Sequence, residues 1–356
     1  MTNNYNYHKN LFTGLCLLLL TVFVAIPELE AQDPRFSQIN ASSMFVNPAM
    51  TGLYEGQMRV SFNYRDQWSS FLGQVPFRTF GASIDYRFYA LKSDFLSIGM
   101  TILKDEAGDA KLSMNRINFS ASYMKQLTGG RGWRNVQYLI AGAQVGLGQN
   151  SINWASLRFS TQFDGNSYNS TLPTGEDIGT YFNFYPDINA GLMWYALLDK
   201  NKSVYAGASM HHINRPNISF LEDLDENMYA TIILHGGGQI PFTRDISLLP
   251  VARFMKQGPS YEIDFGASVR FTTRDFRDVA FKAGVMGRLV NGANAVGSDA
   301  VSVLTALEWD RWALGLSYDV TVSGLSATND GRGAFEVSLT YIHPPSRRLR
   351  MYCPKF

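Results

Sequence analysis

From Met58 to His343 the chain falls into about fourteen stretches in which apolar and polar residues alternate, most of them about ten residues long. A period of two belongs to a strand with two unlike faces, and about ten tilted residues is what a strand needs to cross a hydrocarbon layer. In 58–68, Met58, Val60, Phe62 and Tyr64 alternate with Arg59, Ser61, Asn63 and Arg65; in 260–271, Tyr261, Ile263, Phe265, Ala267, Val269 and Phe271 alternate with Glu262, Asp264, Gly266, Ser268 and Arg270. In 311–320, Trp312, Leu314, Leu316, Tyr318 and Val320 alternate with Arg311, Gly315, Ser317 and Asp319. The predicted strands are 58–67, 78–88, 95–104, 113–127, 135–149, 187–198, 203–213, 228–240, 246–255, 260–272, 277–289, 300–309, 312–321 and 334–343.

The gaps between them carry a second rhythm. Odd-numbered gaps are mostly long and polar, the longest being 150–186, with 256–259 as an exception; even-numbered gaps such as Asp199 to Lys202 and Asp310-Arg311 are short. Long loops on one side and tight turns on the other predict nearest-neighbour hairpins closing into an up-and-down antiparallel transmembrane β-barrel of the outer-membrane type. A soluble β-sandwich would need open edges and Greek-key crossovers, which this rhythm does not suit. With the exported N-terminus taken as periplasmic, the long gaps lie outside.

A leader precedes the strands. Met1 to Asn10 is polar, Leu11 to Ile26 is nearly all apolar, and Leu29-Glu30-Ala31 offers a small residue before Gln32. This is the layout of a secretory signal peptide cleaved after Ala31. No later run is long enough for a spanning helix, so a helical membrane protein is not expected. Cys16 leaves with the leader, Cys353 then stands alone, and no internal disulfide is possible in the mature chain. The formal net charge of +1 gives no electrostatic case for a nucleic-acid partner.

Candidate chemistry is sparse. His211 and His212 are adjacent, so in a strand they would point to opposite faces and share no metal ion. His235-Gly236-Gly237-Gly238 superficially matches an esterase oxyanion motif, but there is no G-x-S-x-G partner, and glycines within a strand mark close backbone approach or a bulge. Asp85, Glu262, Asp264, Asp319 and Glu336 alternate into one face with Arg59, Arg65, Arg87, Arg270, Arg288 and Arg311 nearby, which predicts a salt-bridged ladder inside a barrel rather than an acid/base pair. Catalysis, a cofactor and a metal are therefore not expected.

Three motifs carry a resemblance. Gln32-Asp33-Pro34-x-Phe36-Ser37-Gln38, then Asn47-Pro48-Ala49-x-x-Gly52, then Asn63-Tyr64-Arg65-x-Gln67-Trp68 occur in order; GASIDYRF follows at Gly81 to Phe88, and LSYDVTVSGL and GRGAFEVSLTY within 316–341 precede Cys353-Pro354-Lys355-Phe356. The chain resembles the PorP/SprF family of Bacteroidetes outer-membrane proteins over essentially its whole mature length. Ile39 stands where that family usually has an aromatic, and the 150–186 loop is individual. The resemblance implies an outer-membrane barrel of the type IX secretion and gliding motility machinery. It supports export or surface attachment of large adhesin-like cargo, with periplasmic ring or peptidoglycan-linked secretion components as partners. Phe36, Ser37, Gln38, Asn47, Pro48, Arg65, Trp68, Glu336, Cys353 and Pro354 are its motif and interaction candidates. The rival function is a porin-like channel for general or hydrophobic solutes.

The expected organisation is a signal peptide 1–31, a periplasmic or lumenal segment 32–57, the barrel 58–343 and a basic periplasmic tail 344–356. Phe36, Ile39, Met44, Phe45 and Val46 lack strand alternation and either plug the lumen or merely order the first strand, while Asn47-Pro48 favours a turn.

Overall fold

The computed structural model describes residues 33–344 apart from 74, 76, 89–93, 130–134, 176–181, 200, 222–225, 273–278 and 292–295, so the leader, Cys353, Pro354 and the tail beyond Pro344 lie outside the described residues. Fourteen antiparallel strands form one closed barrel. They are β1 (Met58–Gln67), β2 (Phe77–Phe88), β3 (Phe95–Ala107), β4 (Leu112–Thr128), β5 (Val136–Ser151), β6 (Phe182–Asp199), β7 (Lys202–His211), β8 (Thr231–Pro241), β9 (Ile246–Gln257), β10 (Ser260–Thr272), β11 (Val279–Asn291), β12 (Val296–Trp309), β13 (Trp312–Thr321) and β14 (Arg332–His343). Each strand pairs with its sequence neighbours, and β14 closes on β1 from Met58↔His343 to Gln67↔Ala334. Closure satisfies every strand edge, the condition for sheet in a bilayer.

The alternation resolves into two faces. On β1, Arg59, Ser61, Asn63 and Arg65 point inward and are buried, while Phe62 and Tyr64 face outward. On β10, Glu262 and Asp264 point inward and Phe265 outward. The predicted boundaries hold to within a few residues except at β6. There Phe182, Phe184, Pro186 and Ile188 continue the outer face, and the strand starts five residues before the expected 187. The longest loop is therefore 152–181, with short 3-10 turns at Trp154–Ser156 and Ser160–Gln162. Trp154 meets Phe220 of the 212–230 loop edge-to-face at 6.3 Å.

Two expectations need correction. Besides Gly258-Pro259, the odd gaps 108–111 and 292–295 are also short, so the long loops cluster at 68–76, 152–181, 212–230 and 322–331. The lumen is also not uniformly polar. Met124, Tyr138, Ile140, Met193 and Tyr195 point into it from β4, β5 and β6, which are apolar on both faces over part of their length.

The reason is the segment before β1. Residues 33–57 thread the lumen, and none is exposed. Ala49, Met50 and Leu53 complete the apolar cluster with β3 to β7, while Ile39 and Val46 pack on Ile233, Met255 and Met286. Met44 and Val46 lie in a single helical turn, Ser43–Val46, and Pro48–Met50 is a 3-10 turn with proline at its first position. Asn47 caps that turn, its side chain accepting from the Ala49 N–H at 2.8 Å.

The path of the segment has a direction. Asp33 contacts Thr231 and Gln257, which end β8 and β9 beside the long loops. At the opposite rim, the Gln57 N–H donates to the His343 carbonyl at 2.8 Å and leads into β1. The segment thus descends the lumen from the long-loop mouth to the short-turn rim, and β1 climbs back up the wall.

Candidate functional site: the lumenal segment and its ring of charges

The segment is fastened in three zones. At the long-loop mouth, Asp33 accepts from Arg116 at 2.6 Å and lies 2.7 Å from His212 Nε2. The other His212 nitrogen is 2.7 Å from Asp187, and the His212 N–H donates to Asn189 at 2.8 Å. His212 follows β7 with φ +54°, a left-handed conformation. That break overturns the expectation that the two histidines face oppositely. Both side chains are buried, with ring centroids 6.3 Å apart, and His212 sits between two carboxylates. Burial alone would depress the His212 pKa, but Asp33 and Asp187 outweigh it and push it up to about 9. Burial likewise opposes ionisation of Asp33, yet Arg116 and His212 hold its carboxyl well below the usual carboxylate range.

Next comes a relay of alternating charge. Glu336 meets Arg65 at 3.4 Å, Arg65 meets Asp319 at 2.8 Å, and Asp319 meets Arg288 at 3.3 Å. Arg288 continues to Asp264 at 3.1 Å, Asp264 to Arg253 at 2.7 Å, and Arg253 to Glu262 at 3.1 Å. Glu262 ends on Arg35 of the segment at 2.8 Å. Four carboxylates and four guanidiniums alternate along it, so each buried charge has a partner, and the partly exposed Asp299 adds a further carboxylate 3.6 Å from Arg288. Ser37 sits in the middle of the relay. Its N–H donates to Glu336 at 2.7 Å and its hydroxyl to Asp319 at 2.8 Å, while the same oxygen accepts from Arg65 at 2.7 Å and Arg288 at 2.8 Å. The Gln38 N–H donates to Glu336 at 3.0 Å, and its side-chain oxygen accepts from Ser338 at 2.7 Å.

Lower down, glycines bring wall and segment together. Asn47 donates to the carbonyls of Leu192 and Ala208 at 3.2 and 3.3 Å and lies 2.9 Å from His235 Nε2. A β-carbon on Gly191 would collide with the Asn47 side chain, and one on Gly142 with the Pro48 backbone. Phe36 covers Gly81 and packs against Phe45 at 5.7 Å. At the short-turn rim, the Gly52 N–H donates to Asp85 at 2.6 Å, Arg59 pairs with Asp85 at 2.9 Å, and Arg59 and Arg87 flank the Tyr54 ring at 4.9 and 5.4 Å. Gly52 has φ +77°, and its missing β-carbon makes room for Ser97.

The structure therefore gathers Phe36, Ser37, Gln38, Asn47, Pro48, Arg65 and Glu336 into one contact system between segment and wall. It leaves Trp68 apart: that residue follows β1 at the long-loop rim, φ +60°, edge-to-face with Phe77 at 5.3 Å. Of the predicted ladder, Arg311 is also separate, in a short turn beside Asp310. Arg270 pairs with Glu308 rather than with the relay. Sequence reasoning missed Arg116, Asp187, Asn189, Arg253 and Glu308. Arg116 and Arg253 were the most accessible of these, both being inward-parity arginines on predicted strands.

The family described as "Type IX secretion system membrane protein PorP/SprF" matches residues 28–341. No curated protein matches the chain. Among solved structures, the chain is similar to the Pseudomonas putida toluene transporter TodX at 12% identity and TM-score 0.45, covering 87% of this chain and 94% of that one. It is similar to the CymD monoaromatic hydrocarbon channel at 10% identity and TM-score 0.45, covering 85% and 93%. It is also similar to the KdgM porin at 11% identity and TM-score 0.36, covering 80% and 98%. These likenesses lie in the barrel architecture. The family match spans nearly the whole chain, so this outer-membrane β-barrel belongs to the PorP/SprF family of type IX secretion system membrane proteins.

Proposed function

We propose that the barrel serves type IX secretion as a docking component, supporting export or surface attachment of large adhesin-like proteins through protein–protein contacts, with no catalysis and no cofactor. One observation carries this reading. Residues 33–57 thread the lumen and bond to the wall from one mouth to the other. An open diffusion pore has no use for a segment fastened by a relay of alternating buried or half-buried charges. Periplasmic secretion components and the cargo are the expected partners, and an N-terminal signal peptide is the expected route of export.

The test has two arms. Tagged barrel purified from detergent-solubilised outer membrane should retain secretion components and cargo. In planar bilayers, the same barrel should conduct little, whereas a variant lacking residues 33–50 should conduct freely. Large conductance by the intact chain with no co-purifying protein would favour the channel reading. That second reading has its own observation: a cavity beside the segment in the long-loop half, lined by Phe36, Phe45, Arg116, Asn118, Gln144 and Asn189 among others.

A further inference from the structure

We infer that the cavity beside the segment is a blind pocket for an uncharged carboxamide, the end of a glutamine or asparagine side chain on a polypeptide partner at the long-loop face. This deepens the docking reading and rests on it for the partner. Down β4 the inward residues run Arg116, Asn118, Ser120 and Ser122. Arg116 is engaged by Asp33 at the mouth, and Asn118 lines the cavity. Below it, Ser120 accepts from the Thr51 hydroxyl at 3.0 Å, and Ser122 donates to the Thr51 carbonyl at 2.6 Å. On β3, Thr101 lines the cavity, whereas a β-carbon on Gly99, the next inward residue below, would collide with Met44. Met44 and Thr51 thus close the floor, and the upper end lies under the half-buried Asp33 and Pro34.

The barrel wall supplies amides to this pocket. Asn118 Oδ1 is turned against Gly146, where a β-carbon would collide with it, and has no hydrogen-bond partner among the described residues. The Asn118 NH2 group is therefore the donor that faces the cavity. One strand over, the buried Gln144 accepts from Asn189 at 3.5 Å and donates to the Met44 carbonyl at 3.4 Å, so its oxygen keeps a second lone pair. A carboxamide between these two side chains accepts from Asn118 and donates to Gln144. Phe36, Phe45 and Val46 of the segment line the other side and cover its methylene stem. The charged groups of the lining are already matched: Asp33 with Arg116, Asp187 with His212, Arg253 with Asp264, and Arg35 with Glu262. An ion would give up its hydration and find no open counter-charge. The cavity measures about 70 Å³, roughly half of the ~150 Å³ that holds a benzene ring, which suits about three or four non-hydrogen atoms. An unbranched side chain fits that space, and a sugar ring does not.

Acetamide is the probe, added to the full-length barrel in detergent, with saturation transfer to its methyl protons as the readout. It should bind with a dissociation constant on the order of millimolar, as expected for so small a ligand. Acetate, of the same shape but charged, should bind about tenfold more weakly or not at all. Asn118→Leu, which keeps the volume and removes the donor, should abolish the acetamide signal. No acetamide binding by the unaltered barrel, or acetate binding equally well, overturns the inference. So does acetamide binding that survives Asn118→Leu in a folded barrel; if that variant does not fold, the acetate comparison decides. Methyl N-acetylglucosaminide binding more tightly than acetamide would place the amide on a sugar and overturn the polypeptide source. Co-purification of secretion components is a separate readout: if it persists while acetamide fails, the pocket assignment falls and the docking reading stands.

Discussion

The Ser37 N–H donates to Glu336 Oε2 at 2.7 Å, joining two residues 299 positions apart, one from the lumenal segment and one from the last strand. Glu336 also accepts from the Gln38 N–H and pairs with Arg65, and its side chain is 1% exposed. Removing it leaves the buried Arg65 guanidinium with Asp319 as its remaining carboxylate and orphans two main-chain donors. Breaking a buried pair from one side costs about 3–5 kcal/mol. Glu336→Ala should lower the urea midpoint of the barrel in detergent and open the Arg35 bond to trypsin. An unchanged midpoint would mean that the relay does not hold the segment.

Gly142 on β5 gives a steric version of the same test. Its missing β-carbon is the space taken by the backbone of Pro48. Gly142→Val should push the 3-10 turn Pro48–Met50 off the wall, at a cost of about 1–3 kcal/mol for overpacking. The barrel should still migrate as a folded species on unheated gels, while the segment becomes protease-sensitive. Gly297→Ala on β12 adds a methyl group into open space and should change neither readout.

The two faces of β10 make a third prediction. Phe265 faces outward at 49% exposure and Ser268 faces the lumen beside Gly284. Phe265→Arg should cost roughly 2–4 kcal/mol in bilayer refolding equilibria if the site is near the midplane. Ser268→Arg should cost much less, even with Arg270 and Lys282 as lumenal neighbours. Equal costs at the two positions would refute the face assignment.

The wall was legible because a single rule governs it. Residues such as Arg59, Asn63 and Arg65 against Val60, Phe62 and Tyr64 give the strand, its face and its length together. The rule loosens where the lumen stops being water. On β5 and β6, Tyr138, Ile140, Met193 and Tyr195 point inward at Ala49, Met50 and Leu53, so apolar residues stand on both faces. The segment itself has no period, and Phe36, Met44 and Val46 suit a plug as well as a tail that orders β1. Many of its partners lie 80 to 300 positions away, as with Arg116 for Asp33 and Ser338 for Gln38, and no local pattern encodes such pairs. His212 was misread for a related reason. A strand pattern running to 213 hides the left-handed turn that swings the ring inward.

The cluster at the long-loop mouth predicts a pH dependence whose sign follows from His212. Asp33, Asp187 and Arg116 face the ring, His211 lies beside it, and Asn189 and Thr231 supply the remaining polar contacts. With its pKa raised from 6.5 to about 9, His212 is protonated at neutral pH and donates to both carboxylates. Its contribution to fastening is fully present below about 6.5 and is lost as pH rises through about 9. Above that, a neutral ring donates to one carboxylate and turns a lone pair toward the other, leaving Asp33 held chiefly by Arg116. Acid acts on Asp33 with the opposite sign. Its pKa is depressed, so fastening persists through about pH 4, the ordinary carboxylate range, and fails only in stronger acid. A nitroxide on Gln32→Cys, in a Cys353→Ser background, should be immobile from about pH 5 to 8 and gain mobility with a midpoint near 9. Replacing His212 with Gln should remove the alkaline transition and leave the label partly mobile throughout. A spectrum that stays unchanged between pH 7 and 10 in the otherwise unaltered barrel would show that this cluster does not fasten the segment.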